Sequence, residues 1–205
     1  MTPTPSFAQT EAIPLTILAI GDSLTAGYML QPNEAFPAQL QMALQAKGHK
    51  VQVLNAGVSG DTTADGLNRL DWTLQAPADA VIVELGANDA LRGLKPEIPR
   101  NNLDKILGTL AARDLPILIA GMKAPGNWGA DYSTAFDAIF PELAAKYKTS
   151  LYPFFLEGVA LNKALVLSDG LHPTAAGVAE IVKRILPDVE ALLQRAETRK
   201  AAAKN

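Results

Sequence analysis

Five short apolar runs divide the chain, and stretches with a helical pattern lie between them. The runs are LTILAI, VQVL, AVIVEL, PILIA and LYPFF, at residues 15–20, 51–54, 80–85, 116–120 and 151–155. Their apolar positions are continuous rather than alternating, which is typical of parallel strands that are covered on both faces. The last run is the weakest strand prediction, because Pro153 lacks the N–H group that a central strand donates.

The stretches between the runs repeat apolar residues three and four positions apart, as amphipathic helices do. These residues are Phe36, Leu40 and Leu44, then Leu103, Ile106, Leu107 and Leu110, and finally Phe136, Ile139, Phe140 and Leu143. Pro141 and Pro187 fall inside helical patterns, so we expect a kink or a break at each. The alternation of strands and helices predicts an α/β fold, a three-layer α/β/α sandwich around a five-stranded parallel sheet.

The length of 205 residues suits a single domain with one core, which we place at residues 15–195. Residues 1–14 are polar and Pro-rich without the apolar segment of a signal peptide, and we expect a flexible tail there. Residues 196–205 are polar, and we expect a C-terminal tail that frays. We expect the protein in the periplasm or outside the cell if a signal peptide has been removed from it, and in the cytoplasm otherwise.

Composition and charge remove several classes of protein. Apolar residues make up 48% of the chain and charged residues 19%, as in a soluble globular protein. The net charge of −3 offers no basic surplus for nucleic acid, and no apolar run approaches the ~20 residues of a membrane span. The chain has no Cys, which excludes disulfides and Cys-bound zinc. We expect a small-molecule substrate, and a monomer or a small homo-oligomer.

Polar and glycine-rich motifs follow the predicted strands where each strand ends. They are GDSL after the first, NAGVSGDTT after the second, GAND after the third and SDGLHPTAAG after the fifth. The carboxyl ends of parallel strands share one edge of the sheet, and ligands bind beyond that edge. The sequence therefore predicts a site there.

Ser23, in GDSL, is a candidate nucleophile, although a Ser directly after a strand is often a helix N-cap. A Ser hydroxyl needs an adjacent base to be nucleophilic near neutral pH. His172 shares the loop DGLHPT with Asp169, and a carboxylate three residues away can accept from Nδ1 and leave Nε2 free as the base. His49, the other His, lies in a turn at the opposite edge of the sheet, where we expect a structural role.

Acyl transfer also needs hydrogen-bond donors for a developing oxyanion. The backbone N–H of Gly60 in VSGDTT, the side-chain amide of Asn88 in GAND and the N–H of Ser23 are the candidates. The structural alternatives are a turn glycine at position 60 and an Asx turn at position 88.

The four motifs resemble the sequence blocks of the SGNH hydrolases, also called the GDSL esterase/lipase family. The resemblance extends from about Leu15 to about Leu193 and is closest to bacterial thioesterases, lysophospholipases and arylesterases. It implies a flavodoxin-like SGNH hydrolase fold and the hydrolysis of carboxylic esters with aryl or short-to-medium acyl groups, with thioesters and lysophospholipids as further candidates. It also implies that no metal and no cofactor take part.

The same resemblance assigns a role to each candidate residue. It implies that Ser23 is the nucleophile of an acyl-enzyme mechanism, that His172 is its general base and that Asp169 orients His172. The oxyanion hole would consist of the Ser23 N–H, the Gly60 N–H and the Asn88 amide.

Two apolar loops, GMKAPGNWGADY and FFLEGVALNKALVL, are candidates for an acyl groove. The candidate substrate-binding residues in them are Trp128, Phe154, Phe155, Leu156 and Val159. The alternative for these residues is ordinary core packing beside the fifth strand.

Other functions stay open at this point. A carbohydrate O-deacetylase of the same family would use the same catalytic groups. A non-catalytic binding module would share the fold, but the intact set of Ser23, Asp169 and His172 argues against it. A nucleotide-binding flavodoxin-like domain is disfavoured because GDSLTAG lacks the Lys of a phosphate loop. An α/β-hydrolase elbow, G-x-S-x-G, is disfavoured because Thr25 replaces its second Gly.

Overall fold

A five-stranded parallel sheet forms the centre of the fold. In the computed structural model, which describes residues 14–203, the strands are β1 (Leu15–Gly21), β2 (Val51–Gly57), β3 (Ala80–Glu84), β4 (Ile117–Ala120) and β5 (Ser150–Tyr152). All paired strands are parallel, and their order is β2-β1-β3-β4-β5. The predicted α/β fold with a five-stranded parallel sheet is confirmed.

Helices connect the strands and follow the last of them. Within the described residues they are α1 (Ser23–Ala26), α2 (Phe36–Ala46), α3 (Thr63–Asn68), α4 (Leu70–Thr73), α5 (Ala87–Leu91), α6 (Glu97–Ala112), α7 (Ala130–Asp137), α8 (Ile139–Tyr147) and α9 (Ala175–Ala202). Two short 3₁₀ turns, Pro32–Glu34 and Gly126–Trp128, lie in the loops.

The strand order determines which helices share a face of the sheet. The chain passes from β1 to β2 in one direction through α2, and from β3 through β4 to β5 in the other direction through α6 and α8. Crossovers between parallel strands are right-handed, so α2 lies on one face and α6 and α8 lie on the other. Helix α9 packs against α2 and joins it on the first face. The sheet is thus covered by helices on both faces, and the molecule has three layers.

The core lies between these layers. All five residues of β3 are buried, as its continuous apolar run predicted. The periodic positions of α6, namely Leu103, Ile106, Leu107 and Leu110, are buried as well. Full burial of one such side chain contributes roughly 1.5–3 kcal/mol, so the packing of helices on both faces stabilises the sheet.

The two prolines within helical patterns differ in their effect on the helices. The pattern around Pro141 is broken as expected, because α7 ends at Asp137 and α8 begins at Ile139, which places the proline in a first turn. At Pro187 the predicted break is absent, because α9 continues through this residue, and the kink stays a prediction. Ile185 and Val189 on either side are fully buried, and this packing holds the helix together despite the hydrogen bond that proline removes.

Two predicted boundaries shift. The fifth strand is only Ser150–Tyr152 and ends before Pro153, so the rest of LYPFF lies outside the sheet. At the C-terminus, α9 extends to Ala202 instead of fraying beyond residue 195. Ala196 is buried, and the Arg199 guanidinium donates to an Asp114 carboxylate oxygen (3.2 Å), which ties these turns to the domain. Of the predicted N-terminal tail, residues 1–13 lie outside the described residues.

The strand order also predicts where a ligand binds. The chain proceeds from β1 to one side and from β3 to the other, so a crevice opens between the carboxyl ends of these two adjacent strands. GDSL begins at the last residue of β1, and GAND follows β3, which places both motifs at this crevice.

Candidate active site

Ser23 occupies the first position of α1, just beyond the carboxyl end of β1. Asp22 is the N-cap of this helix, and its Oδ1 accepts a hydrogen bond from the Leu24 N–H (2.9 Å). The alternative in which Ser23 is itself the N-cap is therefore wrong, and its hydroxyl serves another partner. As a first-turn residue, Ser23 also has an N–H group that no carbonyl of its own helix accepts.

A line of hydrogen bonds joins Ser23, His172 and Asp169. The His172 Nε2 atom lies 2.9 Å from Ser23 Oγ, and its Nδ1 atom lies 2.7 Å from Asp169 Oδ2. A carboxylate at Nδ1 fixes the tautomer that carries its hydrogen there, so Nε2 is free to accept the hydroxyl hydrogen. The structure thus brings together three side chains, of which Ser23 and His172 are 149 positions apart along the chain.

The loop that carries His172 is organised by Asp169 itself. Its Oδ1 accepts from the N–H groups of Leu171 (2.9 Å) and His172 (3.0 Å), while Oδ2 accepts from the imidazole. The Leu171 N–H, the His172 side chain and the His172 N–H together lower the pKa of Asp169 to about 2. The carboxyl is therefore ionised near neutral pH, in the state that holds the imidazole.

Gly60 is the third residue of a turn in which the Asp61 N–H donates to the Val58 carbonyl (3.1 Å). Its φ of 89° is the left-handed value that this turn position requires, and glycine adopts it without steric cost. A Cβ on Gly60 would meet nothing within 4 Å, so backbone conformation rather than crowding explains the glycine. The hydrogen bond that closes such a turn does not use the Gly60 N–H.

Asn88 lies in the first turn of α5 and connects two of the other loops. Its Nδ2 atom donates to Asp22 Oδ2 (3.1 Å) and to the Asp61 carbonyl (3.0 Å). The amide is thus a bridge between the end of β1 and the loop after β2, in place of the Asx turn. Both of its hydrogens are used within the protein in this state.

Two buried carboxyl groups behind Ser23 escaped the sequence analysis. Glu84 Oε2 accepts from the Thr25 hydroxyl (2.7 Å) and from the Asp22 N–H (3.3 Å), and both Asp22 and Glu84 are fully buried. Burial raises the pKa of Asp22 to about 6. Burial and the neighbouring Asp22 raise the pKa of Glu84 well above its ordinary value. The signal for Glu84 was present, since it is the one charged residue in the run AVIVEL.

The predicted substrate-binding residues divide into two groups. Phe155 and Val159 are fully buried, and the Phe155 ring packs edge-on against Phe36 with centroids 4.9 Å apart. Their assignment to a groove is wrong, because residues that pack inside the core offer no surface to a ligand. Phe154 and Leu156 are only partly buried, and the prediction stands for them.

Trp128 is 45% exposed, and it contacts the segment that follows Asn88. Its indole N–H donates to the Ala90 carbonyl (2.8 Å). Its six-membered ring packs so closely on Gly93 that a Cβ added there would lie only 2.7 Å from the ring atom Cζ2. Trp128 therefore fixes the end of α5, and its exposed edge keeps it a candidate for substrate contact.

His49 is remote from these residues, as predicted. Its Nε2 atom lies 3.1 Å from Glu190 Oε1, in a contact between the turn before β2 and α9 at the amino edge of the sheet. Over residues 14–203 there is no cluster of three His, Asp or Glu side chains placed to hold a metal ion. No helix in the same part of the chain is long and apolar enough to span a bilayer.

A Ser–His–Asp hydrogen-bond line at the carboxyl edge of a parallel α/β sheet is the arrangement of a serine hydrolase. Residues 19–179 match the sequence model of the GDSL-like Lipase/Acylhydrolase family. The chain belongs to this family, and it is a carboxylic ester hydrolase of the GDSL type.

Individual relatives agree with this assignment. The chain is 37% identical to esterase TesA of Pseudomonas aeruginosa over 89% of its own length and 92% of the relative. It is 42% identical to thioesterase 1/protease 1/lysophospholipase L1 of Escherichia coli, over 77% of this chain and 75% of the relative. The crystal structure of AlinE4, an SGNH-hydrolase family esterase, matches with a TM-score of 0.74 and 48% identity, over 92% of this chain and 99% of AlinE4.

Proposed function

We propose that Ser23, His172 and Asp169 are the catalytic residues of this ester hydrolase. The observation that carries the proposal is the unbroken hydrogen-bond line from the Asp169 carboxylate through both nitrogens of His172 to the Ser23 hydroxyl. An imidazole so placed removes the hydroxyl proton as the oxygen attacks, and the carboxylate stabilises the imidazolium that forms.

The reaction has two halves. Ser23 Oγ forms a bond to the acyl carbonyl carbon while its proton passes to His172 Nε2. The tetrahedral intermediate then breaks its bond to the leaving oxygen or sulfur, which takes that proton from His172 and departs as an alcohol or a thiol. Water attacks the acyl-enzyme in the same way, again giving its proton to His172, and the acid is released as Ser23 regains its hydrogen.

The negative charge that develops on the carbonyl oxygen needs donors that are already in position. We assign the Ser23 N–H, the Gly60 N–H and the Asn88 Nδ2 group to this role. All three lie at the carboxyl ends of β1, β2 and β3, in the segments that the Asn88 bridge holds together.

The substrate is a small molecule, and we propose carboxylic esters with aryl or short-to-medium acyl groups, with thioesters and lysophospholipids as additional substrates. The support is the resemblance to relatives named as an esterase and as a thioesterase and lysophospholipase. The partly buried Phe154 and Leu156 and the exposed edge of Trp128 are the apolar surfaces that we assign to the acyl chain.

A substrate panel together with active-site labelling tests this proposal. The panel contains p-nitrophenyl esters from acetyl to palmitoyl, an acyl-CoA, a lysophospholipid and an O-acetylated sugar. We expect the wild type to hydrolyse the short and medium esters and to react with a fluorophosphonate, and Ser23→Ala to lose both properties while staying folded. Ser133→Ala, at a partly buried position of α7, is the control that keeps both.

Three results would overturn the proposal. Near wild-type turnover by folded Ser23→Ala would remove Ser23 as the nucleophile. A preference for the acetylated sugar over every other substrate would favour a carbohydrate deacetylase, and no turnover or labelling of the wild type would favour a binding module.

A further inference from the structure

The amide of Asn88 is held by two acceptors that come from different loops. Asp22 Oδ2 accepts from Nδ2 at 3.1 Å, and the Asp61 carbonyl accepts from the same nitrogen at 3.0 Å. An oxyanion therefore receives a hydrogen from Nδ2 only by sharing or replacing one of these bonds. The bond to a neutral carbonyl is the weaker of the two, because hydrogen bonds to ionised acceptors are about twice as strong as neutral ones.

A side-chain amide has two nearly isosteric orientations, and only one of them gives a donor to an oxyanion. If the amide turned over, the Asn88 oxygen would face both the Asp22 carboxylate and the Asp61 carbonyl. Three acceptors would then meet in a partly buried site with no hydrogen between them, which is the costly case of unsatisfied polar groups. The charge on Asp22 opposes this arrangement more strongly than the carbonyl does.

The groups around Asp22 leave it ionised near neutral pH. Glu84 of β3, Asp61 after β2 and His172 before α9 are the titratable groups that face it, and Arg69 binds the Asp61 carboxylate (2.6 Å) beside them. Burial raises the pKa of Glu84 well above its ordinary value, which favours the protonated form of this second carboxyl near neutral pH. Asp22, with a pKa of about 6, keeps its charge there, and that charge meets the Asn88 amide.

We propose that Asp22 is a positioning residue, whose carboxylate holds the Asn88 amide with its nitrogen rather than its oxygen available to the oxyanion. This inference rests on the role of Asn88 in the proposed function. It assigns a second task to the residue that N-caps α1, since Oδ1 fixes the helix that begins with Ser23 and Oδ2 fixes the oxyanion donor.

A double-mutant cycle between positions 22 and 88 separates these two tasks. In Asp22→Ser the hydroxyl is still a good N-cap acceptor for the Leu24 N–H, but it is too short to serve Asn88 as well. We expect kcat to fall by roughly tenfold to hundredfold, which is less than the ~10²–10³-fold loss caused by removing an oxyanion donor altogether, and we expect KM to stay within about twofold of the wild-type value. In the Asn88→Ala background, Asp22→Ser should cause no further loss of kcat.

Two additional variants keep the test decisive. Asp22→Asn has the shape of the wild-type side chain, but its single oxygen can replace only one of the two acceptors that serve the Leu24 N–H and Asn88 Nδ2. It can therefore take the place of Asp22→Ser in the cycle if the Ser variant does not fold. We expect the same fall in kcat, and again no further loss in the Asn88→Ala background. Asp79→Asn alters a carboxylate that accepts from the Thr16 N–H (2.8 Å) at the other edge of the sheet, and we expect it to lower thermal stability without changing kcat.

The outcomes distinguish this inference from the proposed function. If folded Asp22 variants keep wild-type kcat, or if their loss multiplies with that of Asn88→Ala, Asp22 does not act through Asn88, and the role of Ser23 is unaffected. If Ser23→Ala stays active, the proposed function itself fails, and the role of Asp22 in holding an oxyanion donor fails with it.

Discussion

The phenol ring of Tyr28 lies against the imidazole of His172, with ring centroids 4.4 Å apart and planes inclined by 38°. The position of Tyr28 follows from that of Ser23. Gly27 ends α1 with a left-handed φ of 84°, and the Tyr28 N–H donates to the Ser23 carbonyl (3.1 Å). The short helix that carries the nucleophile therefore also delivers a ring that limits the rotation of the base.

We predict that Tyr28→Ala lowers kcat because His172 is then held by its hydrogen bonds alone. Aromatic pairs contribute about 0.5–1.5 kcal/mol beyond area burial, which corresponds to a loss of roughly twofold to twelvefold. Tyr28→Phe keeps the ring and should keep kcat. Steady-state kinetics of the three proteins on one p-nitrophenyl ester measure this, and an equal loss in Phe and Ala would assign the effect to the hydroxyl instead.

The two histidines should differ completely in their effect on catalysis. His172→Ala removes the base that contacts Ser23 Oγ, so we expect kcat to fall by about 10⁴-fold or more. His49 contacts Glu190 at the far edge of the sheet, so His49→Ala should retain wild-type kcat with at most a small loss of thermal stability. Initial rates and melting curves of both variants are sufficient, and a large loss of rate in His49→Ala would contradict the assignment of the base.

Much of this site could be predicted from sequence because it depends on strand ends. Once the apolar runs were assigned to parallel strands, GDSL and GAND had to fall at one edge. The loop from Asp169 to His172 is local, so its internal hydrogen bonds were also within reach. What linked this loop to Ser23 was the resemblance to a family, since apolar patterning alone does not say which loops meet across the edge.

Features that depend on packing were beyond the sequence. Phe155 and Val159 follow a short strand in an apolar loop, and nothing in their pattern distinguishes a groove from the core. The polar composition of the last residues hides the contacts that keep α9 helical to Ala202. The same is true of Asn88, for which the sequence offered an oxyanion donor or an Asx turn, while its partners, Asp22 and the Asp61 carbonyl, come from other loops.

Gly60 has a matched control in Gly48, which gives a clean test of its role. Both have a left-handed φ, 89° and 91°, and a Cβ at either would meet nothing within 4 Å. An alanine at each position therefore carries the same backbone strain, about 1–2 kcal/mol, and should lower the melting temperature by similar amounts.

Only Gly60→Ala should reduce kcat, because strain there is relieved by turning the peptide that supplies the proposed oxyanion donor, whereas Gly48 lies in the turn before β2. Kinetics and melting curves of the two variants measure both effects. Equal kcat values in the two variants would mean that the Gly60 N–H does not contribute to the oxyanion hole.

The buried carboxyl of Glu84 makes a prediction about stability rather than rate. Its raised pKa means that the folded state binds its proton more tightly than the unfolded state does. Stability from this source is present in acid and is lost as the pH rises from the unfolded value of about 4.3 through the folded pKa. Each unit of elevation corresponds to about 1.4 kcal/mol of stability lost once the pH exceeds the folded pKa.

Glu84→Gln removes this titration while its side-chain oxygen can still accept from Thr25. We therefore expect the variant to lose less stability than the wild type between pH 5 and pH 9, with the difference growing toward alkaline pH, at about 2–4 °C in melting temperature per kcal/mol. Glu197→Gln, on an exposed position of α9, controls for the change in net charge and should follow the wild type. If Glu84→Gln and the wild type showed the same dependence of melting temperature on pH, Glu84 would be ionised in the folded protein at neutral pH. Asp22 would then lie beside a second negative charge. The charge that orients the Asn88 amide would in that case belong to Asp22 and Glu84 together rather than to Asp22 alone.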